Sequence, residues 1–272
     1  MPELPEVETV KESLKQIILS RKITDVEIFY DNIIKNVTPK EFKELIINET
    51  FRDVKRVGKY LIFICDNITI LSHLRMEGKY NYLKDEKKDV HEHIIFHLDN
   101  GHTLRYNDTR KFGTMHVFKT TNIDDLMKIE PLNKLGIEPL SDKLTLEYLK
   151  SKFQKNKKPI KSVLLDQSII SGLGNIYADE VCYYSKINPV KQTSLLTDDD
   201  ILKIIESSKV VINKAIKLGG TTIKSFTSSH MITGRFQNEL KIHTKSVCEC
   251  GSKVTKIFVG GRGTYYCSVC QK

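Results

Sequence analysis

Residues 1–10 read MPELPEVETV, and the way this stretch continues decides the architecture of the N-terminal half. Pro5 has the fixed φ of a first helical turn, and Glu6 and Glu8 complement the positive end of a helix. Val7, Val10, Leu14, Ile17 and Ile18 then recur at helical spacing, which predicts an amphipathic helix over 3–19. From about 22 to 118 the pattern changes to period two. TDVEIFY, KYLIFIC, ITILSHL, HIIFHLD and TMHVFK alternate or run apolar and are separated by Asn, Asp and Gly turns, so this stretch reads as strands. A leading helix on a β-sandwich or barrel is the expectation.

Beyond residue 130 the character shifts. EPLNKLGIEPLS (130–141) holds two prolines and a glycine and reads as a linker, which sets an N-terminal domain over 1–131 and a hinge over 132–141. Residues 142–218 are helical by period and length. Residues 219–240 are rich in Gly, Ser and Thr and read as a loop, and KVTKIFVGGRGTYY reads as two strands turning at Gly260–Gly261. The expected divisions are a helical domain over 142–235 and a hairpin module over 236–272. The fold class is α+β.

Charge follows the same boundary. The net charge is +9, yet residues 1–141 carry 22 Lys/Arg against 23 Asp/Glu. The surplus therefore lies wholly in the C-terminal half, which points to a polyanionic partner there. KNKKPIK (155–161) concentrates it, contributing Lys155, Lys157, Lys158 and Lys161 with no acid from Lys150 to Lys161. No apolar run approaches the roughly 18 residues that span a bilayer, and a start with two prolines and three glutamates does not suit a signal peptide. A soluble cytoplasmic protein, without a membrane partner, is expected.

Six cysteines are present. Cys65 and Cys182 stand alone in apolar or mixed segments and read as core residues. Cys248, Cys250, Cys267 and Cys270 form the pattern C-x-C-x16-C-x2-C. Four thiolates so clustered suit a tetrahedral structural zinc, and a module of about 30 residues needs such a staple. C-x-C is one residue shorter than the usual C-x2-C knuckle, so three cysteines with His243 form the alternative ligand set. HEH (91–93) with His97 is a weak metal pattern.

Pro2 carries chemistry of its own. Removal of the initiator methionine before a residue this small leaves a secondary amine, and an α-amino group titrates near pH 8. A secondary amine that attacks a sugar C1′, a carbon at the aldehyde oxidation level, yields an iminium ion as the ring oxygen leaves, an electron sink that needs no added proton. Glu3 stands beside it as a general acid or base, and Glu6 could hold the network. A plain helix start reads the same way from these residues alone.

Seven motifs in order narrow the choice. PELPEVET, RVGKYL (56–61), HLRMEG (73–78), NDTRKFG (107–113), SGLGNIYADE (171–180), GGTT (219–222) and GGRGTYYC…C (260–270) together resemble the formamidopyrimidine-DNA glycosylase family over nearly the whole chain. The resemblance implies a bifunctional glycosylase and abasic-site lyase of base excision repair. Its substrate would be double-stranded DNA bearing 8-oxoguanine, formamidopyrimidines or abasic sites. A monomer would hold that DNA in a basic cleft between the two domains.

Roles follow by resemblance. Pro2 would attack the deoxyribose C1′ with Glu3 assisting, and Lys59 would contact phosphate beside the lesion. Met76, Arg110 and Phe112 would form a wedge that fills the gap after base extrusion, with Arg110 on the orphaned cytosine. His73 and His91 would touch the DNA backbone, and so would Lys155, Lys157 and Asn175. Gly172 and Gly174 let the backbone approach phosphate, where Asn175 could also cap the helix. Thr221, Thr222, Ile223, Lys224, Ser225 and Phe226, within the loop 219–236, would read the everted base, with Glu77 facing the same pocket. Arg262 at the hairpin tip would hold phosphates and assist the second elimination. Arg235 and His243 depart from the tyrosines the family often has. A pyrimidine-directed glycosylase of the endonuclease VIII type and a non-catalytic DNA-binding zinc protein are the alternatives.

Overall fold

A computed structural model describes residues 2–84, 86–221, 226–227 and 234–272. They form two compact units. One runs to Asn133 and takes in the short strand at 226–227; the other comprises Lys134–Thr221 and Arg235–Lys272.

The first unit opens with helix α1 (Leu4–Ile18), within a residue of the expected limits. Glu3 is its N-cap in extended conformation. The Glu3 side chain accepts from the Glu6 backbone N–H, while Glu6 Oε2 accepts from the Glu3 N–H at 2.9 Å. This reciprocal capping box contributes on the order of 1 kcal/mol. Packing outweighs it: Val7, Val10, Leu14 and Ile18 are each at most 1% exposed, and burial of each contributes about 1.5–3 kcal/mol. Ile17, placed on the same stripe from sequence, is only half-buried.

Strand β1 (Ile23–Ile28) follows, then helix α2 (Pro39–Ile46), which the strand reading of 22–118 does not contain. Its own signal is local. Thr38 accepts from the Glu41 N–H, Glu41 returns a bond to the Thr38 N–H, and Pro39 fills the first turn. Strands β2 (Asp53–Val57), β3 (Tyr60–Ile64), β4 (Thr69–His73), β5 (Lys79–Lys84), β6 (Glu92–Leu98), β7 (His102–Asn107) and β8 (Thr114–Phe118) complete the unit with the short helix α3 (Ile123–Leu126). They make two sheets. One has the order β2-β3-β4-β8; the other is β1-β6-β7-β5-β9, where β9 is Phe226–Thr227 and runs parallel to β5. The loop expected over 219–240 thus contains a strand, and a 3-10 turn at Phe236–Glu239. A single core joins Val54, Leu61, Phe63 and Ile70 of the first sheet to Val26, Ile94, Phe96 and Leu104 of the second, with α1 against it.

The second unit is helical: α4 (Leu146–Phe153), α5 (Ile160–Leu164), α6 (Asn175–Tyr184) and α7 (Asp198–Lys217). Thr145 and Thr197 cap α4 and α7 through backbone N–H groups three residues on. The unit ends in the antiparallel pair β10 (Thr255–Val259) and β11 (Arg262–Tyr266). Gly260 and Gly261 join them, with φ of 55° and 74°, the conformation of a two-residue hairpin turn that glycine alone adopts freely.

Candidate functional site

At the start of α1, Pro2 is half-buried, while Glu3 and Glu6 are almost fully buried and face each other through the capping box. A turn further on, Glu8 Oε2 accepts from Arg56 Nε at 2.7 Å, and Arg56 also donates to the Gly58 carbonyl at 2.9 Å. Burial opposes ionisation of Glu8, but Lys11 and Arg56 hold its carboxyl below the usual range. Gly58 has φ +58° and forms the β2–β3 turn with Lys59. Helix α1 is thereby tied to the turn that carries Lys59. This lysine is no solvated strand-end charge, since it is 5% exposed.

His73 ends β4 opposite Tyr60, with ring centroids 4.5 Å apart. The Arg75 backbone N–H donates to its Nδ1 at 2.9 Å, which leaves the ring proton on Nε2. Burial, with the Arg75 and Lys59 charges added, depresses its pKa to about 3. Near neutral pH the imidazole is therefore uncharged, with Nε2 as its donor. His91 sits apart, half-buried, its N–H on Asp89 Oδ1 at 2.8 Å.

Met76 and the Arg110–Phe112 pair, more than 30 residues apart in sequence, lie on two neighbouring turns. Glu77 of the first turn accepts a hydrogen bond from Thr109 Oγ1 of the second. Met76 is half-buried, Arg110 is exposed, and Phe112 is 53% exposed with the Arg110 guanidinium 4.7 Å from its ring centroid. An aromatic ring held in solvent under a cation is unusual for a core residue and suits a surface that meets a flat, anionic partner. Asp108, fully buried, builds the second turn: Oδ1 accepts from the Arg110 N–H at 3.0 Å and Oδ2 from the Gly113 N–H at 2.8 Å. It lies inside NDTRKFG, yet the sequence does not single it out.

In the second unit, Lys152, Lys155, Asn156, Lys157, Lys158 and Pro159 line an open hollow of about 830 Å³. Lys155 and Lys157 are exposed there. Lys161, read as part of the same run, is not a surface charge. It is fully buried and paired with Asp179 Oδ1. Helix geometry explains the error, because Lys161 lies on the inward face of α5 where Ile160 and Leu164 are buried too. Asn175 is not the cap of α6; Gly174 is, and Asn175 Nδ2 instead donates to the Gly263 carbonyl at 3.0 Å.

Two acids in SGLGNIYADE do more than the sequence suggests. Asp179 Oδ2 accepts from His243 Nδ1 at 2.6 Å and from the Tyr265 N–H at 3.3 Å. Glu180 accepts the consecutive N–H groups of Lys241, Ile242 and His243 at 2.9, 3.0 and 2.9 Å. Burial nevertheless raises the Glu180 pKa, with those amides opposing the rise. Helix α6 thus anchors both the hairpin and the segment leading to it. Adjacent acids in the middle of a helix are the one sequence signal that could have flagged them.

The four cysteine Sγ atoms lie within 4.8 Å of one another, with Cys248–Cys270 at 3.8 Å and Cys250–Cys267 at 3.6 Å. Four thiolates around a tetrahedral ion at zinc–sulfur distances of 2.3 Å stand about 3.8 Å apart, so the donor set fits a metal. The short knuckle closes through Gly251, φ +85°, and a bond from the Cys248 N–H to the Ser252 carbonyl at 2.9 Å. His243 is engaged by Asp179 and stands outside the cluster, so the three-cysteine alternative fails. Arg262 is exposed at the hairpin tip. Cys65 and Cys182 are buried, as expected, and burial raises the Cys182 thiol to about 12. Thr221 is half-buried; Thr222, Ile223, Lys224 and Ser225 lie outside the described residues, and Phe226 is described only as backbone of β9.

Residues 1–115 match the formamidopyrimidine-DNA glycosylase N-terminal domain, and residues 135–227 match the formamidopyrimidine-DNA glycosylase H2TH domain. A formamidopyrimidine-DNA glycosylase of Oceanobacillus iheyensis is 43% identical over 276 aligned residues, covering 100% of this chain and 98% of that protein. The chain belongs to the formamidopyrimidine-DNA glycosylase family. Among solved structures, the Lactococcus lactis family member in complex with N7-benzyl-Fapy-dG containing DNA is similar with a TM-score of 0.91 and 38% identity, over 100% of both chains. The same enzyme in complex with abasic-site DNA gives 0.91 and 38%, over 99% of both. The formamidopyrimidine-DNA glycosylase fold therefore extends through the four-cysteine hairpin, past the last residue of the H2TH match. No described helix is long and apolar enough to cross a membrane.

Proposed function

We propose that this chain is a base excision repair glycosylase that removes oxidised purines from duplex DNA and then cleaves the abasic strand. The observation that carries the reading is the buried Glu3–Glu6 capping box immediately behind Pro2. It fixes the position of a carboxylate beside the chain's first ring nitrogen, at the positive end of a helix. Family membership supports the substrate class, as do the relatives bound to Fapy-dG and abasic-site DNA.

In this reading, removal of Met1 frees the Pro2 nitrogen. That nitrogen forms a bond to C1′ of the extruded nucleotide and the C1′–N9 bond breaks. The base leaves with the electron pair and takes a proton, while Glu3 handles the proton lost from the amine. Opening of the sugar gives an iminium ion. Loss of the C2′ proton then expels the 3′ phosphate, and a second elimination expels the 5′ phosphate. Lys59 and Arg262 serve as cations that neutralise phosphate. Met76, Arg110 and Phe112 occupy the space vacated by the base and recover part of the few kcal/mol that extrusion costs. Lys155, Lys157, His73 and His91 hold the backbone. Glu77 and residues 221–226 bear on the lesion. The four cysteines would hold one zinc, which supplies folding stability and takes no part in bond-breaking.

Borohydride reduction of the enzyme with an 8-oxoguanine duplex, followed by mass spectrometry, tests the assignment. A reduced sugar adduct on the N-terminal Pro2 peptide is expected. Strand scission undiminished after acylation of the Pro2 nitrogen would overturn it.

A further inference from the structure

Gly78 and Gly113 close the two turns that carry Met76 and Arg110–Phe112, yet neither has a left-handed φ. Their lack of a side chain serves space. A Cβ on Gly78 would stand 2.4 Å from Tyr106 Oη, and one on Gly113 would stand 1.6 Å from the same oxygen. One buried hydroxyl therefore borders both glycines, together with the Leu74 carbonyl, 2.5 Å from a Cβ on Gly78, and the Tyr106 Cζ, 2.7 Å from one on Gly113. Tyr106 is fully buried in β7, its ring 5.3 Å from that of Tyr80. The hydroxyl donates to Asp108 Oδ2 at 3.4 Å, a weak bond beside the 2.8 Å bond from the Gly113 N–H to the same oxygen. Its main effect is steric, as a spacer between the turns.

We propose that the Tyr106 hydroxyl is a positioning group that sets the separation of the Met76 turn from the Arg110–Phe112 turn, so that the three side chains enter a duplex as one body. This rests on the repair reading given above. The role is distinct from those of the wedge residues, because Tyr106 is fully buried and has no surface to offer a partner. Without the hydroxyl the turns settle independently. Extrusion then loses its synchrony, and Arg110 loses its register on the orphaned base.

The test is Tyr106→Phe in the full-length protein. Stopped-flow fluorescence of 2-aminopurine beside 8-oxoguanine reads wedge insertion. Single-turnover excision opposite cytosine and opposite adenine reads discrimination, and incision of a preformed abasic duplex serves as the reference. Insertion is expected to slow roughly tenfold, with the cytosine-to-adenine preference falling severalfold, while abasic incision falls far less because no base must be extruded. A second arm uses space directly. Gly113→Ala is expected to be severely impaired in insertion, because its Cβ would overlap Tyr106 Oη and stand 2.7 Å from Tyr106 Cζ, forcing the two turns apart. A folded Tyr106→Phe with unchanged insertion and unchanged opposite-base preference overturns the proposal, as does a folded Gly113→Ala with unchanged insertion. Should the unmodified protein process no lesion and give no borohydride adduct, the repair reading itself fails and the positioning role falls with it.

Discussion

Lys161 and Asp179 meet with no solvent reaching either side chain, 18 residues apart in the chain and joined Nζ to Oδ1. The same carboxylate holds His243 and the Tyr265 N–H, and the lysine Nζ lies 3.4 Å from the Gly263 carbonyl. One buried pair thereby anchors the strand that begins at Arg262. Removing one member leaves an uncompensated buried charge, so Lys161→Met or Asp179→Ala should cost about 3–5 kcal/mol in urea unfolding. Replacing both with apolar residues should cost less than the sum of the single changes. A single-variant cost below about 1 kcal/mol would mean that the site readily admits water.

Metal removal should act on the hairpin. Four sulfurs cluster here in a module with a small core, with the Tyr183 hydroxyl 3.5 Å from Cys248 Sγ. Elemental analysis is expected to find one zinc per chain, and Cys267→Ser to lose it. Chelation should then abolish hydrogen-exchange protection across 255–266 while protection in β3 and β4 persists. Full protection of the hairpin in metal-free protein would show that packing alone suffices.

His73 predicts an acid-side loss of stability. Its folded pKa of about 3 lies below the unfolded value near 6.5, so the unfolded chain binds the extra proton first. The stability due to a neutral His73 is fully present above about pH 6.5. It falls by roughly 1.4 kcal/mol per pH unit on the way down towards pH 3, where the folded state also protonates. His73→Gln should flatten that slope. An NMR titration showing His73 charging near pH 6 would remove the argument.

The Glu3–Glu6 box should separate stability from chemistry. Glu6→Ala is expected to cost only about 1 kcal/mol, since burial of the α1 stripe dominates the helix. It should nonetheless reduce the yield of borohydride adduct on Pro2 by more than tenfold, because the Glu3 backbone N–H loses the carboxylate that holds the segment joining Pro2 to the helix. A trapping yield that falls only in step with the folded fraction would reduce the box to an ordinary helix cap.

Local rules carried most of the architecture. The stripe from Val7 to Ile18 placed α1 within a residue at each end, and Gly260–Gly261 placed the hairpin turn. Helix α2 was legible too, through Thr38-Pro39-x-Glu41, but β-branched and aromatic residues on both sides drew the reading towards strand. Lys161 failed for a different reason. A run of lysines looks uniform in one dimension, whereas the short helix α5 turns Lys161 inward and the segment before it stays in solvent. Nothing in the sequence singles out Tyr106 or Asp108, because their neighbours, Gly78 and Gly113, matter through space.

The sequence alone determined the leading helix, the closing hairpin, the four-sulfur pattern, the placement of excess positive charge and the family resemblance. Each is a property of spacing along the chain, and spacing sets which face of a helix or strand is apolar. Tertiary structure decided which charges are buried and what satisfies them: Asp179 for Lys161, three successive amides for Glu180, a single hydroxyl for two glycine turns. Those pairings depend on distances between elements far apart in the chain, and no local period encodes such a distance.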